Sequence, residues 1–226
     1  MEFLHQLLFG VAPYVAGTIF ILGSALRYER GQYTWRTMSS QILHNSRSYR
    51  TANILFHIGI LTLFMGHLVG LLTPHWIYHA FGLSAGAKQI LSMVVGGIFG
   101  LLCLAGISVL LWRRLTVPAV KANSSRMDTA ILILLALQLL TGFLTIYTSR
   151  HHLEGSVMLA LASWAQHIVT FQGEAWTFVV NVPWVYKIHI LLGLLMFSLF
   201  PFSRLVHIWS WPWVYLRRSY QIVRLR

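Results

Sequence analysis

The chain has 226 residues, of which 57% are hydrophobic and only 10% charged, and its net charge is +12. Apolar runs this long and this poor in charge exclude a soluble globular protein, and the placement of the basic residues between those runs excludes nucleic-acid binding. A single cysteine, Cys103, excludes a disulfide within the chain and an iron-sulfur cluster held by it, and packing is the role expected of it.

Residues 3–26, 89–112 and 129–149 contain no Asp, Glu, Lys or Arg. Each run is long enough to cross a hydrocarbon core of ~30 Å as a helix of about 20 residues. Two further spans follow Arg50 and Pro183, the first stopping at Thr73-Pro74 and the second before Pro212. The fold expected is therefore all-α, a single integral membrane bundle of five transmembrane helices at about 3–27, 53–73, 89–112, 128–149 and 184–211. No alternating β-barrel pattern is present, and backbone satisfaction in lipid leaves helices. The first span lacks a basic n-region and a small-residue cleavage site, so it reads as a retained helix rather than a signal peptide.

The connections set the topology. RYERGQYTWRTMSSQILHNSRSYR (27–50) is basic and aromatic, suited to anionic headgroups. Of the 17 basic residues, 14 fall in this connection, in the third one with Arg113, Arg114, Lys121 and Arg126, or from Arg204 to the end. The other two connections hold only Lys88, Arg150 and Lys187, and this bias places the N-terminus outside, periplasmic in a bacterium, and the C-terminus in the cytoplasm. Within the longest outer connection, SVMLALASWAQHIVTF (156–171) has helical periodicity and suits a helix lying in the interface as a cap.

Eleven histidines are present. His5, His44, His75, His79, His151, His152 and His167 fall at span ends or in loops, where an amphipathic ring is comfortable. His57 and His67, in FHIGILTLFMGHLVG, lie within the second span, and His189 and His207 lie on the fifth. An ionisable group inside a membrane bundle is a functional-site hypothesis by default. Spans two and five run in opposite directions, which levels His57 with His207 toward the cytoplasm and His67 with His189 toward the outside. Two imidazoles facing across a gap are what a six-coordinate haem iron needs, so two pairs suggest two stacked haems. The spacings are unequal: 18 residues of straight helix span ~27 Å, whereas ten span ~15 Å with a face offset of about 80°. A crossing angle, a bend at Pro201 and the reach of each imidazole are the ways to absorb that difference.

Gly59, Gly66, Gly70 and Gly193 suit either a macrocycle approaching the backbone or small-residue helix packing. Arg114 and Arg204 suit haem propionates or simply mark the cytoplasmic boundary. Met65 and Met196 are filler rather than axial ligands. The competing reading of the four histidines is a proton relay in a transporter, which predicts broken helices with paired polar groups at the midplane.

LRYERGQYTWR, FHIGILTLFMGHLVGLLTPHW, KIHILLG and LFPFSRLVHIWSWPWVYLRRSYQIVR closely resemble the gamma subunit of bacterial membrane-bound respiratory nitrate reductase, and the resemblance runs end to end. It implies a multi-pass cytochrome b of the bacterial inner membrane that carries two haem b groups. In that family the subunit anchors an iron-sulfur subunit and a molybdenum-containing catalytic subunit on the cytoplasmic side, where residues 212–226 would contact them. The resemblance implies His57 and His207 as ligands of the inner haem, and His67 and His189 as ligands of the outer one. It also implies quinol oxidation beside the outer haem, with Lys88 in AKQI helping to hold the quinol; Gly66 and Gly70 are candidates to line that site. Electrons would pass through both haems to the iron-sulfur partner. Lys88 also suits a snorkelling boundary residue. The chain departs from the family pattern mainly in its second and fourth loops, as in HAFGLSAGAKQ. Nitrate leaves no trace in these residues, and related five-helix cytochromes b serve other terminal enzymes.

Overall fold

The computed structural model describes residues 2–35 and 46–210. The 212–226 tail, His44 and part of the first connection lie outside that set. Among the described residues five helices are long and apolar enough to cross a membrane: α1 (Glu2–Thr34), α2 (Arg47–Leu72), α4 (Ala85–Thr116), α6 (Arg126–Ser149) and the fifth, Trp184–Phe202. Short helices α3 (His75–Ala80), α5 (Pro118–Ala122) and α7 (Ser156–Val169) lie in the connections, and the regular α-helical part of the fifth span, α8, is Trp184–Leu199.

Local chemistry sets the helix starts. Ser46 and Ser84 accept from the backbone N–H of Tyr49 and Ala87 at 3.1 and 3.2 Å, and Ser125 forms a reciprocal capping box with Asp128. Pro183 precedes α8, and Pro118 opens α5, where a missing N–H loses nothing.

The spans pack as a row, α2 against α4, α4 against α6, α6 against α8 and α8 against α1. Glycines let α2 and α4 touch backbone to backbone. A Cβ at Gly59 would meet the Phe99 carbonyl oxygen and the Cys103 nitrogen at 2.7 Å, and one at Gly106 would come within 2.6 Å of the Ala52 carbonyl oxygen. Gly59 is thus a helix-packing position, and Cys103, 1% exposed, sits in the same seam. Among the described residues α2 and α8 are not packed side by side, and this leaves the histidine-bearing helices facing across a gap.

One end of the bundle is capped. Helix α7 and the 3₁₀ turn Ala175–Val179 enclose a cluster of Phe9, Val157, Trp164, Val179, Val182 and Tyr186. The first span is π-helical over Gln6–Val11, and the Trp164 indole N–H donates to the Phe9 carbonyl at 2.8 Å. Gln166 donates to the Leu71 and Thr73 carbonyls at 3.0 and 3.3 Å, satisfying acceptors that the end of α2 leaves open.

The fifth span departs from a helix running to residue 211. Pro201 has no N–H to donate and its ring obstructs the preceding turn, so the α-helix ends at Leu199 and gives way to a 3₁₀ turn, Phe200–Phe202. Ser203 is extended (φ −115°, ψ 178°), and the chain resumes as a 3₁₀ segment, Arg204–Ser210. Arg27 of α1 donates to the carbonyls of Pro201 and Ser203 at 2.6 and 2.8 Å, and Gly23 lies so close to the Pro201 ring that a Cβ there would meet it at 2.7 Å.

Candidate functional site

The break resolves the unequal histidine spacings. From His189 to the end of α8 at Leu199 is ten residues, the same length of α-helix, ~15 Å, that separates His57 from His67. The remaining eight residues to His207 turn through the break instead of continuing along the axis. The result is two facing pairs. The His57 and His207 rings have centroids 6.3 Å apart at 74°, and the His67 and His189 rings lie 6.0 Å apart at 29°.

These separations fit an iron between the imidazoles. A metal–imidazole bond of about 2 Å on each side places the two ring centroids roughly 6 Å apart. Among the described residues no three His, Cys, Asp or Glu side chains gather around one point, so each pair offers two protein ligands. Two ligands suit a metal whose other four positions belong to a macrocycle, and do not suit an ion caged by protein alone. Positions Gly66 and Gly70, flanking His67, face open space, with nothing within 4 Å of a Cβ built on either.

Ring orientation is fixed from behind. The Nδ1 of His57 donates to the Asn53 carbonyl at 2.8 Å, that of His67 to the Leu63 carbonyl at 2.7 Å, and that of His207 to the Arg204 carbonyl at 2.6 Å. In this tautomer Nε2 keeps its lone pair for a metal. His189 is held differently, from α6. The Thr141 hydroxyl, which donates to the Gln138 carbonyl at 3.0 Å, accepts from Nδ1 of His189 at 2.9 Å. The Gln138 amide donates to the His189 carbonyl at 3.1 Å and lies 3.2 Å from Nε2, while its buried Oε1 has no partner. Gly193 stands opposite this amide, 3.5 Å from it at the Cβ position, so it makes room for Gln138. Gln138 is the residue that inspection of the histidines alone overlooks; a lone amide inside the apolar run 129–149 was its signal.

At the capped end Lys88 is buried at 7% exposure, reaches across to the Gly70 carbonyl at 2.9 Å and stands 3.9 Å over the Tyr78 ring. Gly70 lies one turn past His67, so Lys88, Gly70 and His67 share one corner of the bundle. Tyr78, 6% exposed, keeps its hydroxyl without a hydrogen-bond partner and packs edge-on to His75 at 5.0 Å. A lysine ammonium beside an open-faced pair of glycines can donate to an oxygen of a ring-shaped ligand.

At the opposite end, Arg114 and Arg204 converge on a carboxylate that composition alone leaves inconspicuous. Arg204 donates from Nε and Nη2 to the two oxygens of Asp128 at 2.5 and 2.6 Å. Arg114 lies 3.8 Å from the same carboxylate and donates to Ser124 at 3.2 Å. The neighbouring Arg113 stacks over Tyr49 at 4.0 Å. Asp128, the chain's single aspartate, is buried at 7% exposure.

Comparison with known proteins identifies the family. The family model of the nitrate reductase gamma subunit matches residues 5–226. The respiratory nitrate reductase 1 gamma chain of Escherichia coli K12 is 49% identical over 226 residues, covering all of both chains. Its respiratory nitrate reductase 2 gamma chain is also 49% identical, over all of this chain and 99% of that one. The nitrate reductase gamma chain of Bacillus subtilis 168 is 33% identical across 98% of each.

Proposed function

Because the chain belongs to the nitrate reductase gamma subunit family and has five helices able to span a membrane, we propose that it is the quinol-oxidising cytochrome b of a respiratory nitrate reductase. It is a membrane subunit of an oxidoreductase complex. The observation that carries the finer reading is the pair of facing histidine couples, 6.3 and 6.0 Å between centroids, at two levels of the same two spans.

His57 with His207 and His67 with His189 would each hold one haem b, which when bound supplies a one-electron carrier whose potential depends on its axial ligands. The basic connections put the Arg114–Asp128–Arg204 end in the cytoplasm and the capped end in the periplasm of a bacterial inner membrane. The capped end is then where quinol is oxidised. Lys88 donates to a quinol oxygen there, and Gly66 and Gly70 admit the ring beside His67. The Gly70 carbonyl, one of the open acceptors at the end of α2, keeps the ammonium aimed across the corner. Protons released at this face stay outside, while electrons leave at the arginine face for an iron-sulfur subunit and, beyond it, a molybdenum-containing subunit that reduces nitrate. Each elementary charge so separated across 100 mV stores about 2.3 kcal/mol.

The test is spectral. The purified complex shows two b-type haems per copy of this chain, and His67→Ala shows one and no longer oxidises quinol. A His67→Ala protein with both haems and full quinol oxidation would sink the assignment, and a colourless wild-type chain would return the histidines to the proton-relay reading.

A further inference from the structure

His207 differs from the other three histidines in lying outside an α-helix. Its 3₁₀ segment follows an extended residue, and its Nδ1 is tied to the Arg204 carbonyl, at the start of that same short segment. A ring held only by its own segment is placed as well as the segment is and no better. Arg27 holds the chain just before the segment and Ser210 donates to the Trp35 carbonyl at its far end, but the residue whose carbonyl meets the ring is fixed by its own side chain, two nitrogens of Arg204 meeting the two oxygens of Asp128 in a fork. That carboxylate is itself held at the start of α6. Its Oδ2 accepts the Ser125 N–H at 2.8 Å, and its own N–H donates to the Ser125 hydroxyl at 3.1 Å, at the first turn of a 24-residue helix.

We infer that Asp128 is the positioning residue for His207, acting through Arg204. A rigid transmembrane helix, α6, sets a carboxylate; the carboxylate sets a guanidinium; and that residue's main-chain carbonyl sets the imidazole from behind. Acceptors behind ligating histidines fix ring orientation and tautomer. In His57 and His67 that acceptor belongs to a continuous helix and needs no further support. In His207 it belongs to a chain that has left its helix, and the ion pair restores the missing rigidity. Asp128 therefore does more than cap α6. This inference rests on the ligand assignment proposed above, and the experiment separates the two.

In the assembled complex, Asp128→Asn keeps an acceptor for the cap and removes the charged fork. The low-spin ferric signal of the His57/His207 haem is expected to change its g value, with a shifted midpoint potential, while the His67/His189 signal stays unchanged. Arg204→Lys, which keeps the charge and loses the fork, reproduces that selective change, and Asp128→Glu partly restores the wild-type signal. Wild-type signals in both Asp128→Asn and Arg204→Lys would overturn the inference, as would an equal change in the two haem signals. His207→Ala is the control for the underlying reading: if it retains both haems, His207 is no ligand, whatever Asp128 does.

Discussion

The two histidine pairs face each other at nearly the same distance but are built in different ways. At the capped end both rings stand on continuous α-helix, and His189 is oriented by Gln138 and Thr141 reaching over from α6. At the arginine end one ring stands beyond a helix break, and two ion-based contacts hold that break, Arg27 from α1 and Asp128 from α6. A ligand on an intact helix needs only its ring fixed. A ligand past a break needs its backbone fixed first, and charged groups, whose hydrogen bonds are worth more than neutral ones, do that.

Substitutions can break this contrast at either end. The largest effect belongs to the ligands: His57→Ala or His207→Ala removes the haem at the arginine end and stops electron delivery to nitrate, read as one haem per chain and no quinol-nitrate turnover. Next comes Arg27→Leu, which strands two main-chain carbonyls and loses about 3 kcal/mol of stability. Unfolding in detergent measures that loss, and the haem at the arginine end should dissociate before the other. Lys88→Ala removes one charge-assisted donor, worth roughly 1.5–3 kcal/mol, so kcat/KM for quinol falls about 10- to 100-fold with both haem spectra intact. The smallest effect is that of Thr141→Val, which deletes one neutral hydrogen bond to His189, about 1 kcal/mol. It should alter only the spectrum of the haem at the capped end, and an equal change at both ends would erase the distinction drawn here.

Much of this was legible in the residues. Charge-free windows located the five spans because a bilayer tolerates few ionisable groups and each span needs about 20 residues. The antiparallel order of spans two and five levels His57 with His207 and His67 with His189, and in the fold the ring centroids of the two pairs lie 6.3 and 6.0 Å apart. The path after Leu199 was only half legible. Pro201 announces a bend, but how eighteen residues come level with ten depends on the extended Ser203 and on Arg27, a residue 174 positions away from Pro201. Asp128 was hidden for another reason: a lone carboxylate at the start of an apolar run, which the fold uses in a capping box, says nothing of which distant arginines it also meets. The same limit applies to Gln138, whose partner lies 51 residues onward.

The Arg27 clamp also bears on how the protein is made. Thr34, seven residues on, gives the Arg27 guanidinium local partners, but its two shortest contacts are to carbonyls 174 and 176 residues later, so the clamp itself forms only when nearly the whole chain is in the membrane. The seat of His207 closes only when the last span arrives, so the geometry at that end is a product of the finished chain and not of the early helices.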